Sequence, residues 1–354
     1  MRARRMTQGR MTAVRDFARR ASSTALVAAA VATATAATSR VRASTPGLTP
    51  VVPATAAHPL TGDPVQRLRP HSPSPPPQTL RNSDVDLLAT VRARAQGADP
   101  RAPAAEVDRW ILRLATEPRF REGFEDALGR MTRYEPLIRQ ALGRHGLPEE
   151  LLYVVMVESE FREGAVSHAG ATGMWQFMAG TGRRYDLEVS YYVDERRDPV
   201  RSTVAAARHL RDLHAEFGSW HLALAAYNAG SGRVGRALAR HAPGRRGEEV
   251  LYWQIRPHLP RETQRYVPLY LAAAQIARRP RAFGFDPRPH PVLEFDQVWV
   301  AGGVTLDSVA RAVRAAPGSV QRLNPHLVRG TTPPGRRWPV RIPPRPNPSV
   351  HPEK

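Results

Sequence analysis

Between residues 84 and 286 apolar side chains recur three and four positions apart, the spacing that gathers them on one face of a helix. The segment around Val107, Ile111, Leu112 and Leu114 is typical. This pattern predicts helices at roughly 84–95, 104–116, 119–130, 134–145, 149–160, 172–182, 202–216, 220–229, 232–241 and 262–278, parted by glycine, proline and polar turns. Alternation of apolar and polar residues, the signature of a strand, is not met before residue 290. There the stretch PHPVLEFDQVWV brings proline punctuation, valines and aromatics suited to a strand. Helical segments near 306–314 and 318–323 and a closing strand in WPVRIPP follow. The expected fold class is mainly α, a large helical domain followed by a small α+β domain.

The ends of the chain differ in character. Arginines at 2, 4, 5, 10, 15, 19 and 20 precede an uncharged, alanine- and threonine-rich stretch from Ala21 to Ser39, which resembles a secretory signal peptide over 1–42. Small-x-small triplets such as Ala34-Thr35-Ala36 suit cleavage, and the stretch is too weakly apolar to hold a bilayer securely, so export is expected while a membrane tether stays open. Residues 43–80 are dense in proline, serine and threonine, including SPSPPP, and predict a disordered linker. The last residues, 346–354, predict a frayed tail.

Composition removes several kinds of function. Cysteine is absent, which excludes disulfides, a thiol nucleophile, a thiolate metal site and a lipid-bearing cysteine. The formal charge is +20 and nearly all of it is arginine, since Lys354 is the only lysine. It is spread along the chain rather than gathered in one stripe, and no nucleic-acid motif accompanies it, so compositional bias accounts for it better than a nucleic-acid partner. His209 and His214 are five apart and no HExxH occurs, so no metal is expected. Gly302-Gly303 lacks the lysine of a phosphate loop, and no cofactor is expected.

Three segments carry chemistry. In GLPEELLYVVMVESEF, Leu151, Val155 and Glu158 fall at i, i+4 and i+7, so Glu158 emerges from an otherwise aliphatic helical face. Partial desolvation there raises a carboxyl pKa and suits it to give a proton to a leaving oxygen, whereas a core glutamate paired with arginine would fit the same pattern. Residues 167–178 read SHAGATGMWQFM, with small Gly170, Ala171 and Gly173, an amide in Gln176, and apolar Trp175 and Met178 of the kind sugar faces need. Residues 222–230 read LALAAYNAG, which places Tyr227 and Asn228 in the last turn before a capping Gly230.

In this order the three segments resemble the lytic transglycosylase family, specifically the soluble-transglycosylase-like domain of its membrane-bound murein transglycosylase D branch. The likeness runs from about Pro118 to Asp286 and takes in DERRDPVRSTVAAARHL and RETQRYVPLYLAA. It implies a lysozyme-like α-helical catalytic domain over 131–286, with 81–130 a helical extension. It also implies cleavage of peptidoglycan glycan strands without water, leaving 1,6-anhydromuramic ends, with Glu158 as acid and then base. By the same resemblance Ser159, Ser167, Gln176, Met178, Tyr227, Asn228 and Tyr266 are substrate-binding, Ser167 near the sugar acetamido group and the Tyr266 hydroxyl beside the catalytic carboxylate. Glu160 and Ala179 depart from the family pattern. Residues 291–345 resemble a degenerate LysM module, which in its family binds N-acetylglucosamine-containing glycans. A muramidase-type hydrolase using the same glutamate and a catalytically silent wall-binding protein are the competing expectations.

Overall fold

The computed structural model describes residues 87–99 and 102–344. The expected signal peptide, proline-rich linker and frayed tail lie outside the described residues. Helices α1 (Leu87–Gly97), α2 (Pro103–Thr116) and α3 (Pro118–Arg144) lead into a 3-10 turn at Glu149–Leu152 and the short α4 (Tyr153–Ser159). After a loop come α5 (Ala179–Arg184), a 3-10 turn at Glu195–Arg197, α6 (Pro199–Phe217), α7 (Trp220–Ala229), α8 (Ser231–His241), α9 (Val250–Ile255) and α10 (Arg261–Arg278). The chain closes with β1 (Asp296–Val300), α11 (Leu306–Ala312), α12 (Ser319–Leu323) and β2 (Trp338–Ile342). The class is mainly α, as the periodicity predicts. Among the described residues no helix is long and apolar enough to cross a membrane.

Local chemistry fixes the helix ends that matter for the site. At the start of α6 the Asp198 carboxylate accepts the amides of Val200 and Arg201, Pro199 takes the first helical position, and Gly218 ends the helix in the left-handed region at φ 70°. Ser219 then caps α7, and the Glu249 carboxylate accepts the Ser219 hydroxyl and the amides of Trp220 and His221. That carboxylate meets the positive end of α7 and is held below the usual range. Gly129 has a steric duty: a Cβ there would lie 2.4 Å from the Arg288 carbonyl, and the strap 288–293 crosses at this point through bonds from His290 N and Leu293 N to helix α3.

Helix α10 packs against α2, α4 and α7, and its central residues, from Tyr266 to Ala274, join a single large core with Leu151–Val157, Trp175 and Leu222–Ala226. A second, smaller core gathers Leu306, Val309, Ala310, Val320, Leu327, Trp338, Val340 and Ile342. Strands β1 and β2 pair antiparallel with Asp296 opposite Ile342 and Val300 opposite Trp338. Val193, from the loop before α6, is fully buried in this second core.

Three expectations are corrected, and one helix was not expected. The two helices at 119–130 and 134–145 are one, because Pro136 is accommodated within α3 while Met131, Tyr134 and Ile138 continue the buried stripe. The helix at 149–160 is a 3-10 turn followed by α4, which stops when Glu160 and Phe161 adopt left-handed φ values of 54° and 59°. The segment 172–178 is not helical. It is a folded loop in which Thr172 and Phe177 exchange backbone hydrogen bonds, with left-handed Gly173 and Gln176 between them. Helix α9 escapes the periodicity because it has only six residues.

Candidate active site

Helices α4 and α10, the end of α7 and the 167–178 loop converge on a cleft of about 710 Å³. Glu158 stands in its lining, half-buried at the end of α4 beside Val157, Tyr227 and Leu269. The Tyr266 hydroxyl donates to Glu158 Oε1 at 2.7 Å. Burial pushes the Glu158 carboxyl up to about 8, the Tyr266 hydrogen bond opposes that rise, and nearby Glu262 adds to it. The group therefore holds its proton at neutral pH. Tyr266 and Tyr227 are themselves driven far above the ordinary tyrosine range, by burial first and by the Glu158 charge second, so both stay neutral donors.

Of the residues expected beside Glu158, the cleft is lined by Ser167, Gln176, Met178, Tyr227, Asn228 and Tyr266. The Ser167 hydroxyl accepts the Ala171 amide at 3.0 Å, which closes the loop's first turn. Gln176, held at φ 50°, donates its side-chain amide to the Gly173 carbonyl at 2.8 Å. Met178 is 41% exposed and offers an apolar face. The Tyr227 hydroxyl donates to the Trp175 carbonyl at 2.8 Å, tying α7 to the loop.

Ser159 is a correction, because it is buried, donates to the Met174 carbonyl at 2.7 Å, and is absent from the cleft lining. Its hydroxyl staples the loop to α4. Trp175 is corrected likewise: it is fully buried with its indole N–H on Thr203 Oγ1 at 2.9 Å, so it offers no face to a sugar. Gly173 is small for its own chain's sake rather than for a ligand, since a Cβ there would meet the Arg196 carbonyl at 1.7 Å. The unusual Glu160 is paired with Arg130 and Arg162 and is absent from the lining too.

Other lining residues escaped the sequence reading. Glu262 puts a second carboxylate in the cleft, where its Oε1 accepts from Asn228 Nδ2 at 3.1 Å, and Thr263 donates to the Asn228 oxygen at 2.8 Å. Its signal was present in RETQRYV, three residues before Arg265 and four before Tyr266. His209 is half-buried among Phe177, Tyr185 and Tyr227, and desolvation there holds it down to about 4. Trp110 and Phe120, edge to face at 6.4 Å, join the lining from α2 and α3. Arginines 113, 119, 184, 233 and 265 complete a basic lining.

Residues 136–247 match the Transglycosylase SLT domain family. The chain is 39% identical over 142 residues to membrane-bound lytic murein transglycosylase D of Escherichia coli (strain K12), covering 40% of this chain and 30% of that protein. It is 38% identical over 97 residues to a putative tributyltin chloride resistance protein of Alteromonas sp. (strain M-1), covering 27% of this chain and 47% of the other. The chain thus spans less than half the length of each of these relatives. The X-ray structure of an inactive mutant of lytic transglycosylase Slt from Pseudomonas aeruginosa shares 23% identity at a TM-score of 0.33, covering 57% of this chain and 38% of that one.

Proposed function

We propose that this chain, whose residues 136–247 match the Transglycosylase SLT domain family, acts as a lytic transglycosylase that cleaves the β-1,4 bond between N-acetylmuramic acid and N-acetylglucosamine in peptidoglycan, at the cell envelope, without water. The carrying observation is geometric: Glu158 stands in the lining of a cleft of about 710 Å³, where the Tyr266 hydroxyl holds its carboxyl and burial raises its pKa. Glu158 gives its proton to the glycosidic oxygen as the C1–O bond breaks, while the substrate's own 2-acetamido oxygen supports the developing positive charge at C1. The Glu158 anion then takes the proton from the C6 hydroxyl as O6 bonds to C1. Glu158 ends protonated again, one product carries a 1,6-anhydro ring, and the other a free 4-hydroxyl. No step needs a metal or organic cofactor. Ser167 and Gln176 serve the substrate from the loop side, Tyr227 and Asn228 from α7, and the basic lining suits a polymer whose peptides carry carboxylates.

One observation favours a second reading. Glu262 shares the cleft, and two carboxylates are what a water-using glycosidase requires. Digestion of purified sacculi separates the two, because muropeptides with the anhydro mass support the lyase, and reducing ends bearing ¹⁸O from labelled water sink it. Glu158→Gln keeps the shape and cannot transfer a proton, so it abolishes release of either product; undiminished activity would refute the assignment.

A further inference from the structure

The 3-10 turn at Glu195–Arg197 lies between the cleft loop and the carboxy-terminal α+β unit, and both ends of that turn are gripped by the unit. At one end Asp194 N donates to the His326 carbonyl at 2.9 Å, while Val328 N donates to the Tyr192 carbonyl at 3.1 Å and Val193 fills the unit's own core. At the other end Arg341 Nη2 reaches both Asp198 oxygens, at 2.8 and 2.7 Å, with the two side chains only 9% and 3% exposed. Arg341 is itself fixed by Asn324, which accepts its backbone N–H and donates to its carbonyl.

Toward the cleft, Arg196 of the same turn forks onto Asp194 and donates Nη1 to the carbonyls of Gly170 at 2.8 Å and Phe177 at 3.1 Å. Those carbonyls belong to the loop that carries Ser167 and Gln176 into the cleft. The connection therefore runs from β2 to Asp198, along the backbone of the turn to Arg196, and from there by hydrogen bonds to the saccharide side of the site. A unit serving only as a tethered wall binder would have no need of a buried charge pair and a shared core at this seam.

We propose that the carboxy-terminal α+β unit is a fixed part of the cleft's framework, and that Arg341 is the positioning residue through which it sets the 167–177 loop. The activity consequence rests on the proposed saccharide cleavage; the structural consequence does not. Hydrogen exchange on the full chain reads it directly, comparing wild type with Arg341→Met, Arg341→Lys and the double variant Asp198→Asn/Arg341→Met. The double variant leaves no stranded charge and keeps a capping side chain on α6, so it folds even where the single one fails.

The expected result is at least about tenfold faster exchange at Ser167, Gly173 and Phe177 in the Met-bearing variants, with α10 amides unchanged and protection largely restored by Lys. On sacculi, KM rises by about the same factor while kcat moves less, because the loop holds substrate and Glu158 sits on another element. Unchanged exchange at Ser167, Gly173 and Phe177 in the folded double variant would overturn the proposal. Absence of any sacculus cleavage by wild type would instead fail the functional reading and leave the exchange result to decide the clamp.

Discussion

Replacing Glu158 by Gln should stabilise the protein, and by an amount that depends on pH. In the unfolded chain this carboxyl ionises at 4.5, and in the cleft only near 8, chiefly because burial disfavours the anion. Between those values the folded protein holds a proton that the unfolded chain has released, so wild-type stability falls as pH rises through the window. Below 4.5 both forms are protonated and nothing is lost; above 8 both are ionised and the full penalty stands. At about 1.4 kcal/mol for each pH unit the ceiling is roughly 5 kcal/mol, and the side chain's residual contact with water brings the expected value to about 2 kcal/mol. Glutamine escapes the penalty because it never ionises. Urea unfolding of both proteins, followed by tryptophan fluorescence from pH 4.5 to 8.5, measures the difference at each pH and cancels the titration of other groups. The variant's advantage should grow steadily toward alkaline pH. A difference flat within about 0.5 kcal/mol, or one that shrinks, would show that Glu158 is not desolvated in the cleft and would remove the physical basis for its acid role.

Further outcomes follow from the same geometry. Glu262→Gln removes a charge that raises Glu158, and Tyr266→Phe removes a hydrogen bond that lowers it, so the alkaline limb of the activity profile should move to lower pH in the first and higher pH in the second. Shifts in the same direction would disprove the coupling. Tyr266→Phe should also lose about 10- to 100-fold in rate, through lost hold on the carboxylate. Gly173→Ala forces a Cβ to within 1.7 Å of the Arg196 carbonyl at φ +85°, and should lower stability by more than about 3 kcal/mol in thermal unfolding. Co-sedimentation of the inactive Glu158→Gln protein with sacculi should weaken between about 0.05 and 0.5 M salt, as a basic cleft lining requires, and salt-independent binding would assign retention to apolar contacts instead.

The features legible in the chain were those set by local spacing. The spacing of Val155 and Glu158 marks the helical turn of α4 and the half-buried acid on it, and Gly230 marks the end of α7. What could not be read was set by partners far away in the chain. The segment GATGMWQF has residues that tolerate a helix, yet it folds as a loop because Arg196, some twenty residues on, supplies donors to its carbonyls and Thr203 takes the Trp175 indole. Ser159 illustrates the same limit, since its neighbour's role gave no hint that its own hydroxyl would staple Met174. Glu262 was hidden for a different reason: it lies over a hundred residues from Glu158 and enters the cleft only because α10 packs on both α4 and α7. The two carboxylates then differ by their neighbours, Glu158 meeting aliphatic surface and one tyrosine, Glu262 receiving the Asn228 amide. On the proposed mechanism it is Glu158 that parts with the proton, because burial raises its carboxyl while Tyr266 holds it.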